Sequence, residues 1–201
     1  MEPFLLGLLL AIGLQVAVRF EQRERIALLS SHLARHNLER DMAQLLQDYL
    51  PALSEADPDR RAQRLGLLAQ VESRLVGNLR AFSTAFGEVW GERARVSRWP
   101  VAFPWATRLF PRASFDLRRA IAIHAEGVAR AVANEDGLGD KARAFRITAE
   151  LLLLQHSCHW FCRSRTVANA RLLGHHQTSH DQVLASVGDA TRRDYTALVS
   201  G

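Results

Sequence analysis

The chain has 201 residues and a mass of 22.5 kDa, room for one domain with a real core or a smaller domain plus an appendage. An apolar fraction of 48% with 23% charged residues excludes wholesale disorder, and two cysteines, Cys158 and Cys162, are too few to staple a secreted scaffold. Arginine dominates the 26 basic residues, with Lys141 the lone lysine, a bias that points to a GC-rich and hence bacterial genome; a net charge of +5 does not by itself call for nucleic acid.

From Pro3 to Phe20 the chain is apolar apart from Gln15 and, at the far edge, Arg19. As a helix those residues span about 27 Å, at the short end of what crosses a bilayer core. A cleaved signal peptide fits poorly, because Glu2 stands where Lys or Arg is usual and no small-x-small cleavage site follows. Arg19, Arg23 and Arg25, interleaved with Glu21 and Glu24, lie on the C-terminal side instead. By the positive-inside rule this predicts a single-pass anchor of a bacterial inner membrane, with the N-terminus outside and the body in the cytoplasm. The alternative is a buried core helix, since the run is of borderline length.

Beyond the anchor the apolar spacing is helical, with breaks at Pro51, Ser54 to Pro58, Pro100 to Pro111, Gly137 and Gly174. The anchor helix is expected to continue through Arg25 to Leu50, where Leu38, Met42, Leu45 and Tyr49 form one stripe. Asp57 followed by Pro58 predicts the cap and first turn of a second helix. Along it Leu68, Leu75, Phe82 and Val89 recur at sevens, interleaved with Leu65, Leu79 and Phe86, and Glu72 interrupts the second row. The pair reads as an antiparallel hairpin with a seam like that of a coiled coil, for which packing within one bundle is a simpler account than homo-oligomerisation.

Ser114 is expected to cap a third helix striped by Leu117, Ile121, His124, Val128 and Ala131. A fourth is expected from about Asp140 to Leu173, stopped by Gly174, and its centre from Leu151 to Cys162 is apolar on nearly every face, as for the central helix of a bundle. Ser179 with Gln182 makes a capping box for a last helix striped by Leu184, Val187, Tyr195 and Leu198. The expected fold is all-α. It divides into an anchor at 1–20, a long helical hairpin at 21–92, a loop at 93–113, and a three-helix segment at 114–201 packing with the hairpin.

His156, Cys158, His159 and Cys162 fall within seven residues, and His124 on the neighbouring stripe is placed to face them. Imidazole and thiolate are the ligands that borderline and soft metals take, so His124, His156, His159 and Cys162 are a candidate metal or haem set. Against it, His156 and His159 continue the apolar stripe of Phe145, Ala149 and Leu152, as hydrogen-bonded core histidines do. His180-Asp181 has the form of an all-α metal phosphohydrolase centre, but only twenty residues follow to supply a later ligand, and the capping box explains the same residues. No nucleophile elbow or phosphate loop is present, and cysteines in an apolar helix are poor nucleophiles.

Arg93 to Arg119 holds Trp99, Phe103, Trp105, Phe110 and Phe115 among three prolines, with seven arginines against Asp116. Three readings compete: rings plugging the bundle end, rings and guanidinium groups at a bilayer interface, or stacking on single-stranded nucleic acid. Nucleic acid is the weakest of the three. Trp99, Phe103, Trp105, Arg108, Phe110 and Arg112 are the candidate interface residues. The sequence as a whole suggests a membrane-anchored helical interaction, scaffold or assembly protein with no evident catalysis and no cofactor, pairing through its helices with a protein partner or a second copy. The alternative is a small helical metal or haem protein using the cluster at 156–162.

Overall fold

Helical periodicity governs the fold from end to end. The computed structural model describes the backbone of residues 2–201 and the side chains of residues 4–201. The described elements are α1 (Glu2–Arg35), α2 (Leu38–Leu53), α3 (Pro58–Gly87), β1 (Arg95–Ser97), α4 (Ala106–Leu109), β2 (Ser114–Asp116), α5 (Leu117–Ala133), α6 (Asp140–Cys162), α7 (Arg165–His176), α8 (His180–Ser186) and α9 (Asp189–Ser200).

The all-α expectation holds, and so do its best local signals. Asp57 caps α3 by accepting from the backbone N–H of Asp59 and Arg60, with Pro58 in the first turn. Both halves of the Ser179–Gln182 capping box form. Leu38, Met42, Leu45 and Tyr49 are buried along α2, facing Leu68, Leu75, Leu79, Phe82 and Phe86 of α3 in one continuous core. α3 lies between α2 and α5, and α6 runs through the centre, touching α1, α2, α5, α7 and α8. From Leu151 to Leu154 every α6 side chain is buried, because the helix is surrounded.

Glu72 is part of the core. It is 2% exposed, accepts a hydrogen bond from the Tyr49 hydroxyl at 2.8 Å, and takes both terminal nitrogens of Arg143 from α6. Burial and the Glu72 carboxylate both raise the Tyr49 pKa. A second polar core site lies where α5 meets α9. Gly127 lacks a Cβ where the side chains of Thr191 and Glu150 press against its backbone, and Glu150 accepts from the Gly188 N–H at 2.9 Å.

Several expected boundaries move. The first helix does not run to Leu50: Asn37 adopts the left-handed region (φ 53°) and turns the chain between α1 and α2, so the hairpin begins at Leu38 rather than at residue 21. The expected helix at 140–173 is two, broken at Arg163, with Ser164 capping α7 through the Val167 N–H. Gly174 lies inside α7, which ends at left-handed Gln177. Asp116, not Ser114, caps α5. Ser114 belongs to a short antiparallel pair in which Val96 opposes Phe115. The last helix is also two, α8 and α9, with Val187 and Gly188 between them.

Candidate membrane interface

α1 has two unlike halves. Phe4 to Val16 are exposed along the whole run, with Phe4 at 76%, Leu9 at 65% and Val16 at 61%, whereas Leu29 near the other end is buried. The helix is long and apolar enough to cross a membrane, and its most apolar eighteen-residue window has none of its residues buried in the body. A core helix of the same composition would be covered by its own chain. The C-terminal half is held by specific contacts: Arg25 donates to Phe161 O at 3.2 Å and to Glu21 at 2.7 Å, its guanidinium 5.3 Å from the Phe161 ring centroid, and His32 meets Phe86 edge-on.

The arginine- and aromatic-rich segment folds against α1 where the exposed half gives way to the packed half. The Trp105 N–H donates to Glu21 Oε2 at 3.1 Å. Trp99, Val101 and Phe103 line a groove with Val18 and Gln22 on one flank of the helix. Trp90, Arg93, Trp105 and Arg108 face Gly13, Val16, Ala17 and Phe20 across a wider groove of about 680 Å³.

Of the six interface candidates, five are outward and one supports them. Phe103, Trp105 and Phe110 are 40–49% exposed, and Arg108 and Arg112 are exposed. Trp99 is half-buried and packs on Phe110 at 4.8 Å and Phe103 at 5.9 Å between centroids, so it shapes the segment from within. Phe115 alone joins the core, against Trp160. Plugging of the bundle end thus accounts for Phe115 and part of Trp99, and leaves Phe103, Trp105 and Phe110 exposed. Trp90, Val101 and Leu109 are exposed by 58–70% as well, Trp90 sharing a groove with Trp105 and Val101 one with Trp99 and Phe103. Trp90 lies just past the end of α3, before the arginine cluster begins, and its hint was a tryptophan at a helix end.

The arginines divide by role. Arg98 caps the C-terminus of α9 through Leu198 O and Val199 O, Arg95 bonds Ser114 and Pro111 O, and Arg118 pairs with Asp116 and reaches Val89 O. Those three hold the segment's ends. Arg93, Arg108 and Arg112 are exposed and make no ion pair among the described residues.

The histidine–cysteine residues separate into two environments. His124 and His156 are both buried: Ser157 Oγ lies 2.9 Å from His124 Nε2 and 3.2 Å from Tyr195 Oη, while His156 Nε2 lies 2.7 Å from Asn169 Oδ1 and its ring stacks near His180 at 4.5 Å. Desolvation lowers the pKa of His124 to about 3 and of His156 to about 4. His159 and Cys162 turn the other way, with Cys158, into an apolar groove of about 480 Å³ walled by Ile26, Leu29, Leu33 and Met42 and rimmed by Arg163 and Arg171. Burial lowers the His159 pKa to about 4, raises Cys162 to about 11 and pushes the Cys158 thiol up further. The four residues His124, His156, His159 and Cys162 therefore do not converge, and no group of three or more His, Cys, Asp or Glu among the described residues is arranged to hold a metal ion. His180 Nδ1 lies 3.3 Å from exposed Asp181 at the start of α8. No family model, curated protein or solved structure matches the chain.

Proposed function

We propose that the chain is a single-pass membrane protein whose helical body binds or positions protein partners at the membrane surface. The observation that supports this most is the exposed apolar half of α1: about 18 Å of helix, from Phe4 to Val16, has every side chain exposed. Leaving that much apolar surface in water is costly, and a bilayer is the solvent that removes the cost. Arg19, Arg23 and Arg25 follow the run directly, which favours a cytoplasmic body in a bacterial inner membrane. A binding role fits better than catalysis, because both thiols are poorly ionised and the His124–Ser157–Tyr195 set is sealed from solvent.

The test is fractionation. The full chain should sediment with membranes, and residues 21–201 expressed alone should be soluble, helical and cooperative on melting. A full chain that stays in the soluble fraction without detergent would remove the basis of the proposal.

One observation favours a second reading, in which the protein holds a haem-like ligand. The groove beside His159 combines apolar walls, an imidazole kept neutral at pH 7 and two guanidinium groups at the rim. An absorption spectrum and metal analysis of the purified protein decide it: near-stoichiometric metal, lost in His159→Ala, would establish this reading.

A further inference from the structure

We propose that Trp90, Val101, Phe103, Trp105, Leu109 and Phe110 form a collar that seats the body in the phospholipid headgroup layer around the exit of α1. This rests on the reading of α1 as a membrane anchor and goes beyond it, because an anchor alone would leave the body free to swing.

The collar is continuous with the apolar run. The Trp105 N–H is bonded to Glu21, and Trp90 and Trp105 face α1 residues from Gly13 to Phe20. Any bilayer that receives Phe4 to Val18 therefore meets these rings at its surface. The length of α1 demands this closeness. From Phe4 to Phe20 the helix measures about 24 Å, short of a hydrocarbon thickness of about 30 Å. A short span is accommodated by drawing flanking residues into the interface, where tryptophan and arginine are the favoured occupants.

The charges match a headgroup. Arg93 and Arg108 share the groove along α1 with Glu24 and Glu92, so its walls carry partners both for the phosphate and for the amine of a zwitterionic phospholipid. The surface is also preformed. Trp99 packs beneath Phe103 and Phe110, Arg95 bonds Pro111 O within the segment, and Arg98 ties it to α9 through Leu198 O and Val199 O, so docking requires little new ordering.

The experiment reconstitutes the full chain in phosphatidylcholine–phosphatidylethanolamine vesicles whose acyl chains carry bromine near the headgroup, and reads tryptophan quenching. Trp90 and Trp105 face the lipid, whereas Trp160 is buried and Trp99 half-buried. Wild-type emission should be quenched about twofold more strongly than that of a Trp90→Gln/Trp105→Gln chain, and both should float with the vesicles because α1 is intact. A wild-type chain that floats with its emission unquenched would overturn the collar and leave the anchor standing. A chain that does not float would overturn the anchor and the collar together.

Discussion

Replacing Arg143 by Met would leave the Glu72 carboxylate in the core with only the Tyr49 hydroxyl to hold it. In the intact protein that carboxylate is 2% exposed and is satisfied by Tyr49 and by two nitrogens of Arg143, which also donates to Val132 O at 2.8 Å. Removing one partner of a buried ion pair costs about 3–5 kcal/mol. The Arg143 side chain is 23% exposed, so water can reach part of the vacated site and the lower end of that range applies. For a chain of this length each kcal/mol moves the melting temperature by about 2–4 °C, which gives a loss of about 6–12 °C for R143M. Removing all three groups as Tyr49→Phe/Glu72→Leu/Arg143→Met takes out both charges and the stranded hydroxyl, and should restore most of the loss, since well-packed apolar replacements of buried pairs are often near neutral. Far-UV circular dichroism melts in detergent provide the measurement. If R143M melts within about 2 °C of the wild type, or the triple variant melts as low as R143M, the pair does not carry the stability assigned to it.

Other perturbations follow from the same core. Leu75→Ala and Phe82→Ala, at two fully buried seam positions, should cost about 2–5 and 3–5 kcal/mol, and melts unchanged by both would place that face outside the packed core. Acidification should destabilise the body. Unfolded imidazoles titrate near 6.5 while His124, His156 and His159 titrate near 3–4 when folded, so the unfolded state binds more protons below pH 6.5. The stability held by the neutral rings is complete above about pH 6.5 and drains as the pH falls toward 4; Glu150, with a raised pKa, offsets part of the loss. The melting temperature should fall on acidification and His156→Gln should shrink the fall, whereas a flat or rising profile would contradict the assignment. Gly127→Ala drives a methyl group into Thr191 and Glu150 and should cost about 1–3 kcal/mol, read by the same melts.

Sequence legibility followed the range of the forces involved. Asp57 with Pro58, Ser179 with Gln182 and the α2 stripe are local patterns, and each formed as expected. The turn at Asn37 and the break at Arg163–Ser164 contain neither glycine nor proline, and only a left-handed asparagine and a serine cap mark them. The β pair is three residues long on each side, too short to show alternation. Glu72 stood out as an interruption of the seam, but Arg143 lies 71 residues away and nothing local pairs them. At the interface, ring and arginine density was visible from composition. That Trp105 meets Glu21, 84 residues earlier, depends on tertiary packing, and it is this contact that puts the rings beside the anchor.

Cysteine accessibility in intact vesicles reports whether α1 is inserted in the membrane. With Cys158 and Cys162 replaced by serine, single cysteines at Leu9 on the exposed apolar half and at Gln63 on the exposed face of α3 are challenged with a membrane-impermeant maleimide. With α1 inserted, Leu9→Cys stays unlabelled until detergent is added while Gln63→Cys, in vesicles that present the body outward, labels at once. Equal labelling of the two positions in undisturbed vesicles would contradict insertion of α1.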